Sequence, residues 1–365
     1  MERVYTADSF QISNPNDLTK IEKLWKSIDC GKDMTVFQTY EWNRLLIEEF
    51  YDSPKEVRLF SKVKIYVGRN KSNEHNAIII PLIIQNHTNL YRRKGIYLLG
   101  HGSYSDYLNA VYLEFNSSVF EVLIQKIRSD YRGMKFYFQF LLSNTDCNEY
   151  LRGKYSIYSK TAVVGIDVSQ KSDEYMKKLS KSTRQNLRTA FNRMNKDGYE
   201  YIFDVYGPVS DTKMLSALRD IHMNRLIKKN TESQSANDNE KVAKTVIKKY
   251  IRRIRLKTRE YNELNNNIVL KAMQTLSNSC LVVVRLNNEF AGYIYGLKEE
   301  HTIRIIQNCV EEKFYRYSPM FKGIFDFLIK CCEDENIMSV DFTRGDEDYK
   351  IKLGGEIQYV NNYII

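Results

Sequence analysis

Two apolar runs in the C-terminal third of the chain are separated only by the pair Asn287-Asn288. The runs read CLVVVRL and EFAGYIYGL, and asparagine tolerates the positive φ angles of a two-residue hairpin turn. A third apolar run, TIRIIQNCV, comes next, followed by the helical pattern FKGIFDFLIKCCEDEN and the short run MSVDF. This order of strand, strand, strand, helix and strand predicts a mixed sheet with helices packed on it.

The first half of the chain repeats this alternation. The helical pattern TVFQTYEWNRLLIEEF precedes two strand candidates, Val57–Val67 and Ala77–Gln85, and the helical pattern SSVFEVLIQKIRSDY precedes the alternating run KFYFQFLL. A new strand pattern, TAVVGIDV, then starts a second block. We therefore expect an α/β protein of mixed sheets with helices on both faces, divided into residues 1–158 and 159–351. The tail, residues 352–365, can return to the first domain.

Composition is that of a globular chain with room for two domains. The 365 residues are 43% hydrophobic and 27% charged. The longest apolar run, Ala77–Ile84, is too short to span a bilayer, and the first residues lack a secretory pattern. The six cysteines show no metal-ligand spacing. These features predict a cytoplasmic protein without a structural metal.

The formal net charge of +10 predicts that the partners carry negative charge. Part of this charge lies in KVAKTVIKKYIRRIRLKTRE, residues 241–260, where apolar residues fall on one helical face and Lys and Arg surround them. This segment is either the solvated face of a surface helix or a helix that faces an anionic ligand.

The junction FYRYSPMFKG has the features of an anion site at the start of a helix. Ser318 suits an N-cap and Pro319 suits the first helical turn. Free amides and the positive end of the helix dipole would then face the preceding loop, and Arg316 and Lys322 would reinforce them. An ordinary capped helix would have the same residues.

The stretch DFTRGDEDYK, which follows the strand MSVDF, concentrates charged and hydrogen-bonding groups. Asp341 and Arg344 could form a structural ion pair. Alternatively, Tyr349 and Lys350 could donate to an oxyanion or a phosphate at the C-terminal end of the strand, where α/β proteins tend to bind ligands.

Two further places carry polar groups among apolar neighbours. Asp106 and Tyr107 lie between glycines and an apolar run, and His222 lies on an amphipathic helix with Arg225 one turn further on. A single helical histidine is commonly a packing residue. The motifs GxSxG, GxGxxG, HExxH and the P-loop do not occur, so the corresponding enzyme classes lack support.

Taken in order, these segments resemble the CelD-like acyltransferases of the GNAT superfamily, which are close in architecture to the Fem-type peptidyltransferases. The resemblance covers roughly residues 35–355. It is carried by VFQTYEWNRLL, IIIPLII, GSYSDYLNAV, LSKSTRQNLRTAFNRM, LRDIHMNRL, RLNNEFAGYIYGL, YSPMFKGIFDFLIKCC and VDFTRGDEDYKIKLGG. The last block, with its D…RG…YK pattern, is the most specific.

The resemblance implies two tandem GNAT-like domains, with acyl-CoA bound by the second and an amine acceptor in the cleft between domains. It assigns three groups of residues: catalytic Lys350, Tyr349 and Asp341; cofactor-binding Asn308, Arg316, Tyr317, Ser318, Pro319 and Lys322; and substrate-binding Asp106, Tyr107, His222, Arg225 and Arg344. The family has Gly after Ser-Pro, whereas this chain has Met320, whose side chain is expected to crowd the approach of phosphate to backbone.

The predicted activity is direct transfer of an acyl group from acyl-CoA to an amine of a small-molecule, nucleotide-sugar or cell-envelope precursor. Tyr349 would protonate the departing thiolate, and strand N–H groups near Asn308 together with Lys350 would stabilise the oxyanion. Two alternatives stay open: a Fem-type peptidyltransferase that uses aminoacyl-tRNA, for which the basic segment 241–260 would bind tRNA, and a non-catalytic GNAT-like binding module.

Overall fold

The chain divides into two compact units. Unit 1 comprises Met1–Ala162 and Tyr359–Ile365, and unit 2 comprises Val163–Gln358. The computed structural model describes residues 4–89, 92–102, 105–235 and 267–365, so the basic segment 241–260 lies outside the described residues. The predicted domain boundary at residue 158 stays a prediction.

Thirteen strands are described. They are β1 Tyr5–Ile12, β2 Ser61–Asn70, β3 Asn73–Gln85, β4 Gly95–Leu98, β5 Val111–Tyr112, β6 Phe136–Leu141, β7 Ser159–Asp167, β8 Tyr201–Tyr206, β9 Ser279–Leu286, β10 Glu289–Glu299, β11 Thr302–Val310, β12 Ser339–Arg344 and β13 Glu356–Ile364.

The helices are distributed between the strands. They are α1 Thr19–Ile28, α2 Tyr40–Asp52, α3 Lys55–Arg58, α4 Ser117–Asp130, α5 Asp146–Lys154, α6 Ser172–Lys178, α7 Lys181–Lys196, α8 Thr212–Ser235, α9 described over 267–275, α10 Pro319–Cys332 and α11 Asp348–Lys352. Short 3₁₀ turns cover Pro15–Leu18, Val36–Gln38 and Glu312–Tyr317.

In each unit, a row of mostly antiparallel strands contains one parallel pair. Unit 1 has the order β1-β2-β3-β4-β6-β13, with β5 also paired to β3, and its parallel pair is β4–β6. Unit 2 has the order β7-β12-β11-β10-β9-β8, and its parallel pair is β11–β12. In both pairs the second strand contains a residue with positive φ, Phe140 at 59° in β6 and Thr343 at 52° in β12. The predicted class of mixed sheets with helices is therefore confirmed, and the same plan occurs twice.

Strand alternation in unit 2 directs neighbouring residues of β10 to helices on opposite faces of the sheet. Gly292 faces α10, because a Cβ on this glycine would lie 2.5 Å from the sulfur of Met320. The next residue, Tyr293, faces α8 and donates its hydroxyl hydrogen to Gln307 on β11, which in turn contacts His222. Helices α10 and α8 therefore lie on opposite faces of the unit 2 sheet, and the Gln307 side chain of β11 lies on the α8 side.

The hairpin that connects β9 and β10 has the predicted turn. Asn287 and Asn288 have φ angles of 50° and 64°, as a two-residue turn with two left-handed positions requires. The strand predicted over Val57–Val67 is partly wrong, because its first residues form the short helix α3 and the strand itself begins at Ser61.

Candidate active site

The parallel strands of unit 2 pair along only part of their length. Residues 302–304 of β11 pair with residues 339–341 of β12, and β11 then continues to Val310. At Thr343, the left-handed backbone interrupts β12, and the Thr343 hydroxyl donates to the Ile305 carbonyl at 2.9 Å. The second half of β11 stays paired with β10 on one side, and on the β12 side its described strand pairing ends at Arg304. An opening between β11 and β12 therefore begins there.

The corresponding opening in unit 1 is occupied by the chain itself. Residues 105–110 are buried, and the N–H of Leu108 donates to the Phe140 carbonyl at 3.1 Å, where β6 leaves β4. In unit 2, the contacts described across the opening come from side chains. Unit 2 is therefore the better candidate for a ligand that lies between the two parallel strands.

Asn308 and Tyr349 meet at this opening. The Asn308 side-chain amide donates to the Tyr349 hydroxyl at 3.1 Å, which joins β11 to α11. Burial raises the pKa of Tyr349 well above its ordinary value, and the nearby Glu347 carboxylate adds to this effect; the Asn308 bond and Arg225 oppose it less strongly. Tyr349 is therefore a neutral hydroxyl that can donate a proton.

His222 and Arg225 reach the same strand from α8. The Arg225 guanidinium donates to the Asn308 carbonyl at 3.2 Å, and His222 Nε2 lies 3.0 Å from the Gln307 side-chain amide nitrogen. The Tyr293 hydroxyl donates to the oxygen of the same amide, Gln307 Oε1, at 2.6 Å. We refer to the six residues of this network as the β11 cluster: His222, Arg225, Tyr293, Gln307, Asn308 and Tyr349.

Four predicted residues, His222, Arg225, Asn308 and Tyr349, therefore lie together, although they are distant in sequence. Gln307 and Tyr293 were missed. Their signal in the sequence is weak. Both residues lie inside apolar strands, and only the alternation of side chains along a strand indicates that they face α8.

The buried His222 makes stability depend on pH. Burial, together with the Arg225 charge, lowers the pKa of His222 from 6.5 to about 4. Between these pH values the unfolded chain binds a proton that the folded chain excludes, so the free energy of unfolding falls as the pH decreases, by about 3 kcal/mol in total. Urea unfolding of the wild type and of His222→Gln at a series of pH values measures this difference. Parallel pH curves for the two proteins would contradict the prediction.

The turn before α10 has the predicted position but not the predicted cap. Pro319 is the first residue of α10, as expected. Ser318 precedes it with a left-handed backbone, φ 50°, and its side chain makes no capping hydrogen bond, so the predicted N-cap role of its hydroxyl is wrong. Ser318 is exposed, whereas Tyr317 and Pro319 are buried.

The basic residues near this turn have acidic partners. Arg316 and the Tyr317 hydroxyl both donate to the carboxylate of Asp197 at the end of α7, and the tyrosine bond measures 2.6 Å. Lys322 pairs with Asp326 one turn along α10. Arg316 remains largely exposed beside Ser318, with 69% of its side chain accessible. Binding of a diphosphate by these residues stays a prediction.

Met320, which stands where the family has glycine, directs its side chain into the core. It is 7% exposed and its sulfur lies against Gly292 of β10. The side chain therefore fills the space above a glycine of the sheet, on the face opposite His222. The absence of a Cβ at Gly292 is what gives the methionine room.

Lys350 holds the backbone that follows β12. It is 3% exposed, and its ammonium group donates to the carbonyls of Phe342, Arg344 and Gly345 at 3.0, 2.9 and 3.0 Å. Glu347 lies 2.8 Å away as its counter-charge. An ammonium has three N–H donors, so this geometry favours a role in fixing the loop. The predicted role of Lys350 at the oxyanion stays a prediction.

Asp341 belongs to an ion-pair network at the start of the parallel pair. Its carboxylate binds the Arg304 guanidinium and also accepts from the Thr343 N–H at 2.7 Å. Arg304 pairs on its other side with Glu299 at 2.9 Å. Asp341 thus has Arg304 of β11 as an ion-pair partner, and the pair predicted with Arg344 stays a prediction. Arg344 is half-buried, and its carbonyl is bound by Lys350.

The two acceptor-side residues of unit 1 are interior residues. Asp106 and Tyr107 are 5% and 2% exposed, and the Tyr107 carbonyl accepts from the Gln38 side chain at 2.8 Å. The Tyr107 ring packs against Phe37. Their assignment to the acceptor stays a prediction.

A separate cavity of about 730 Å³ lies at the other end of β11, near the first residues of this strand. Lys298, Lys330 and Asp334 contribute charges of both signs to its lining. Nothing there resembles the β11 cluster. Within the described ranges, no group of His, Cys, Asp or Glu is placed to hold a metal ion, and no helix is long and apolar enough to cross a bilayer.

The fold has counterparts among solved structures. The C-terminal domain of a lysylphosphatidylglycerol synthetase from Agrobacterium fabrum matches with a TM-score of 0.51 at 10% identity, over 95% of this chain and 92% of that chain. A conserved protein of unknown function from Bacteroides thetaiotaomicron has a TM-score of 0.49 at 10% identity, over 98% and 99%. L-PGS from Bacillus licheniformis has a TM-score of 0.49 at 12% identity, over 95% of this chain and 90% of that chain. The first of these shows a shared fold.

Residues 181–351 match the model of a family described as the acetyltransferase (GNAT) domain. No curated protein matches the chain. The matched segment contains every residue of the β11 cluster and also Lys350, so the candidate site lies within the part of the chain that is similar to the acetyltransferase (GNAT) domain.

Proposed function

We propose that this protein is an acyl-CoA-dependent N-acyltransferase whose reaction takes place at the opening between β11 and β12. The observation that carries the proposal is the meeting of Asn308 and Tyr349 at the point where the two parallel strands separate. A thioester needs donors for its carbonyl oxygen and a proton source for its departing sulfur. Tyr349 is proposed as the proton source, and N–H groups of the second half of β11 are proposed as the donors.

The proposed roles follow from the contacts. The N–H groups of the second half of β11 bind the thioester carbonyl oxygen, and negative charge on that oxygen is stabilised as the amine attacks. The attacking amine loses a proton to a carboxylate or water as the carbon–nitrogen bond forms. Tyr349, which is kept neutral by its raised pKa, gives its proton to the thiolate as the carbon–sulfur bond breaks and regains a proton from water afterwards. Alignment of the amine with the thioester supplies much of the rate.

The turn Arg316–Pro319, which covers the end of the 3₁₀ turn and the start of α10, is proposed to bind the diphosphate of the donor through its exposed residues. Exposed Ser318 and the largely exposed Arg316 guanidinium are positioned for an anion at the start of α10. Arg225, anchored on the Asn308 carbonyl, and the neutral His222 are proposed to contact the acceptor. Asp106, Tyr107 and Arg344 are assigned to the acceptor by resemblance alone, as is Asp341 to catalysis.

A second candidate is transfer of an aminoacyl group from tRNA. The solvent-facing side of α7 favours it, because the helix contains Lys181, Arg184, Arg188, Arg193 and Lys196 and no acidic residue. Arg184 caps the end of α6 by donating to the Leu179 carbonyl at 2.7 Å, whereas the other four cations are exposed. Such a face suits a phosphate backbone, whose affinity falls steeply with salt.

One experiment separates the candidates. Acetyl-CoA and longer acyl-CoAs are incubated with a panel of amines, release of free CoA thiol is measured, and charged tRNA replaces acyl-CoA in a parallel reaction. We expect CoA release that depends on the amine and appears with the acylated product in equal amount. Transfer from tRNA alone would establish the second candidate. Failure of every donor to bind would leave a non-catalytic module and overturn both enzymatic proposals.

A further inference from the structure

Leu59 and Phe60, which connect α3 to β2 in unit 1, are exposed neighbours of large apolar surface. Their exposed fractions are 49% and 48%. Phe60 also has a φ of 63°, a left-handed conformation that is rare for a bulky residue. Such a conformation is unfavourable by itself and persists where the surrounding structure enforces it.

The backbone of this pair is fixed by the segment that follows β3. The Leu59 carbonyl accepts from the side chains of Gln85 and Asn89, each at 3.1 Å. The Phe60 carbonyl accepts from the Asn86 N–H at 2.9 Å. Both carbonyls are thus bound to residues 85–89. The Phe60 ring packs edge-on against His87 of this segment, and about half of its surface stays exposed.

Cations are concentrated in the two chain segments that contain this pair and bind its backbone. Residues 53–62 and 86–94 contain six Lys or Arg residues and one acidic residue, Glu56. Five of these cations are Lys55, Arg58, Lys62, Arg93 and Lys94. Lys94 is tied to the same segment through its N–H, which donates to the Thr88 hydroxyl at 3.1 Å. We call Leu59, Phe60 and these five cations the Leu59–Phe60 tip.

We propose that the Leu59–Phe60 tip contacts an anionic bilayer, with Leu59 and Phe60 inserted at the level of the headgroups and the cations facing lipid phosphates. An apolar pair surrounded by Lys and Arg combines the two attractions that hold proteins at such a surface, burial of apolar area and electrostatic attraction to acidic lipids. A nucleic acid would use the cations but would gain nothing from the leucine, since bases stack on aromatic or guanidinium planes. The proposal goes beyond acyl transfer and does not depend on it.

Sedimentation with vesicles tests the proposal on the full chain. The probes are vesicles of phosphatidylglycerol with phosphatidylcholine and vesicles of pure phosphatidylcholine. We expect binding to the first kind, and a decrease in partitioning of about tenfold or more for Leu59→Ser with Phe60→Ser. The control is Tyr158→Ser, which removes a side chain that is 66% exposed elsewhere in unit 1 and should bind like the wild type.

A second variant, Arg93→Glu with Lys94→Glu, tests the charges without changing the apolar pair. It is expected to lose affinity for the anionic vesicles by tenfold or more, since each cation near the surface contributes separately. Circular dichroism checks that both variants are folded. Wild-type protein that ignores anionic vesicles, apolar-pair variants that bind unchanged, or salt-sensitive binding to RNA in place of vesicles would each overturn the proposal.

Discussion

Replacing Tyr349 with Phe should lower kcat for acyl transfer by about a hundredfold or more, because a positioned proton donor contributes roughly 10²–10⁴ to such a step. The hydroxyl is held by the Asn308 amide at 3.1 Å and stays protonated because burial raises its pKa. The ring also packs edge-on against Phe342, a contact that phenylalanine keeps. The free energy of unfolding should therefore change little, by about 1 kcal/mol.

Steady-state kinetics with the best amine of the panel measures this effect, and urea unfolding checks the fold. Tyr359→Phe is the matched control, because Tyr359 is an exposed tyrosine of β13 and should keep full activity. The donor KM should hardly change in Tyr349→Phe, since the hydroxyl is proposed to act on the departing sulfur. Unchanged kcat in Tyr349→Phe would remove this residue from the mechanism.

Lys350→Met should destabilise the protein strongly, by about 3–5 kcal/mol. The methionine keeps much of the volume but leaves the carbonyls of Phe342, Arg344 and Gly345 without the ammonium that binds them. Buried carbonyls without a donor are costly. The backbone of residues 342–345, which Lys350 holds next to α11, would also be released. Because Tyr349 is the residue before Lys350 on this helix, activity should fall together with stability.

Lys352→Met provides the matched control. Lys352 lies half a turn further along α11 and forms an exposed pair with Asp348, so its loss should cost about 0–1 kcal/mol. Urea unfolding of both variants gives the comparison. If Lys350 acted on the oxyanion alone, Lys350→Met would unfold like the wild type while its kcat collapsed, and the loop-fixing role would be wrong.

Local patterns predicted the elements well where turn chemistry and periodicity agreed. The hairpin at Asn287-Asn288 and the start of α10 at Pro319 are examples, because two residues suffice to specify each. The segment STRQNLRTAFNRMNKDG, residues 182–198, predicts a helix that opens with a capping box of Ser182 and Gln185, whereas α7 begins slightly earlier, at Lys181. It is capped by Ser180, which accepts from the Thr183 N–H at 3.0 Å, and not by Ser182. Serines at both positions fit the cap pattern, and only the backbone angles decide between them.

The candidate site was predicted in part for a physical reason. Asn308 and Tyr349 carry groups whose chemistry is evident from residue type, and the strand order brings them together. Lys350 looked equally reactive, yet its partners are backbone carbonyls, which no side-chain pattern reveals. Likewise the role of Met320 depends on the missing Cβ of Gly292, some thirty residues away in sequence.

The last strand of unit 1 is made from the end of the chain, since Tyr359–Ile365 belong to this unit and β13 pairs with β6. During synthesis, domains ordinarily fold in the order in which they emerge from the ribosome. Here the edge of β6 cannot receive its neighbour until translation has passed through the whole of unit 2. Early unit 1 therefore exposes the unpaired edge of β6 during that interval, and such an edge can pair with a strand of another chain.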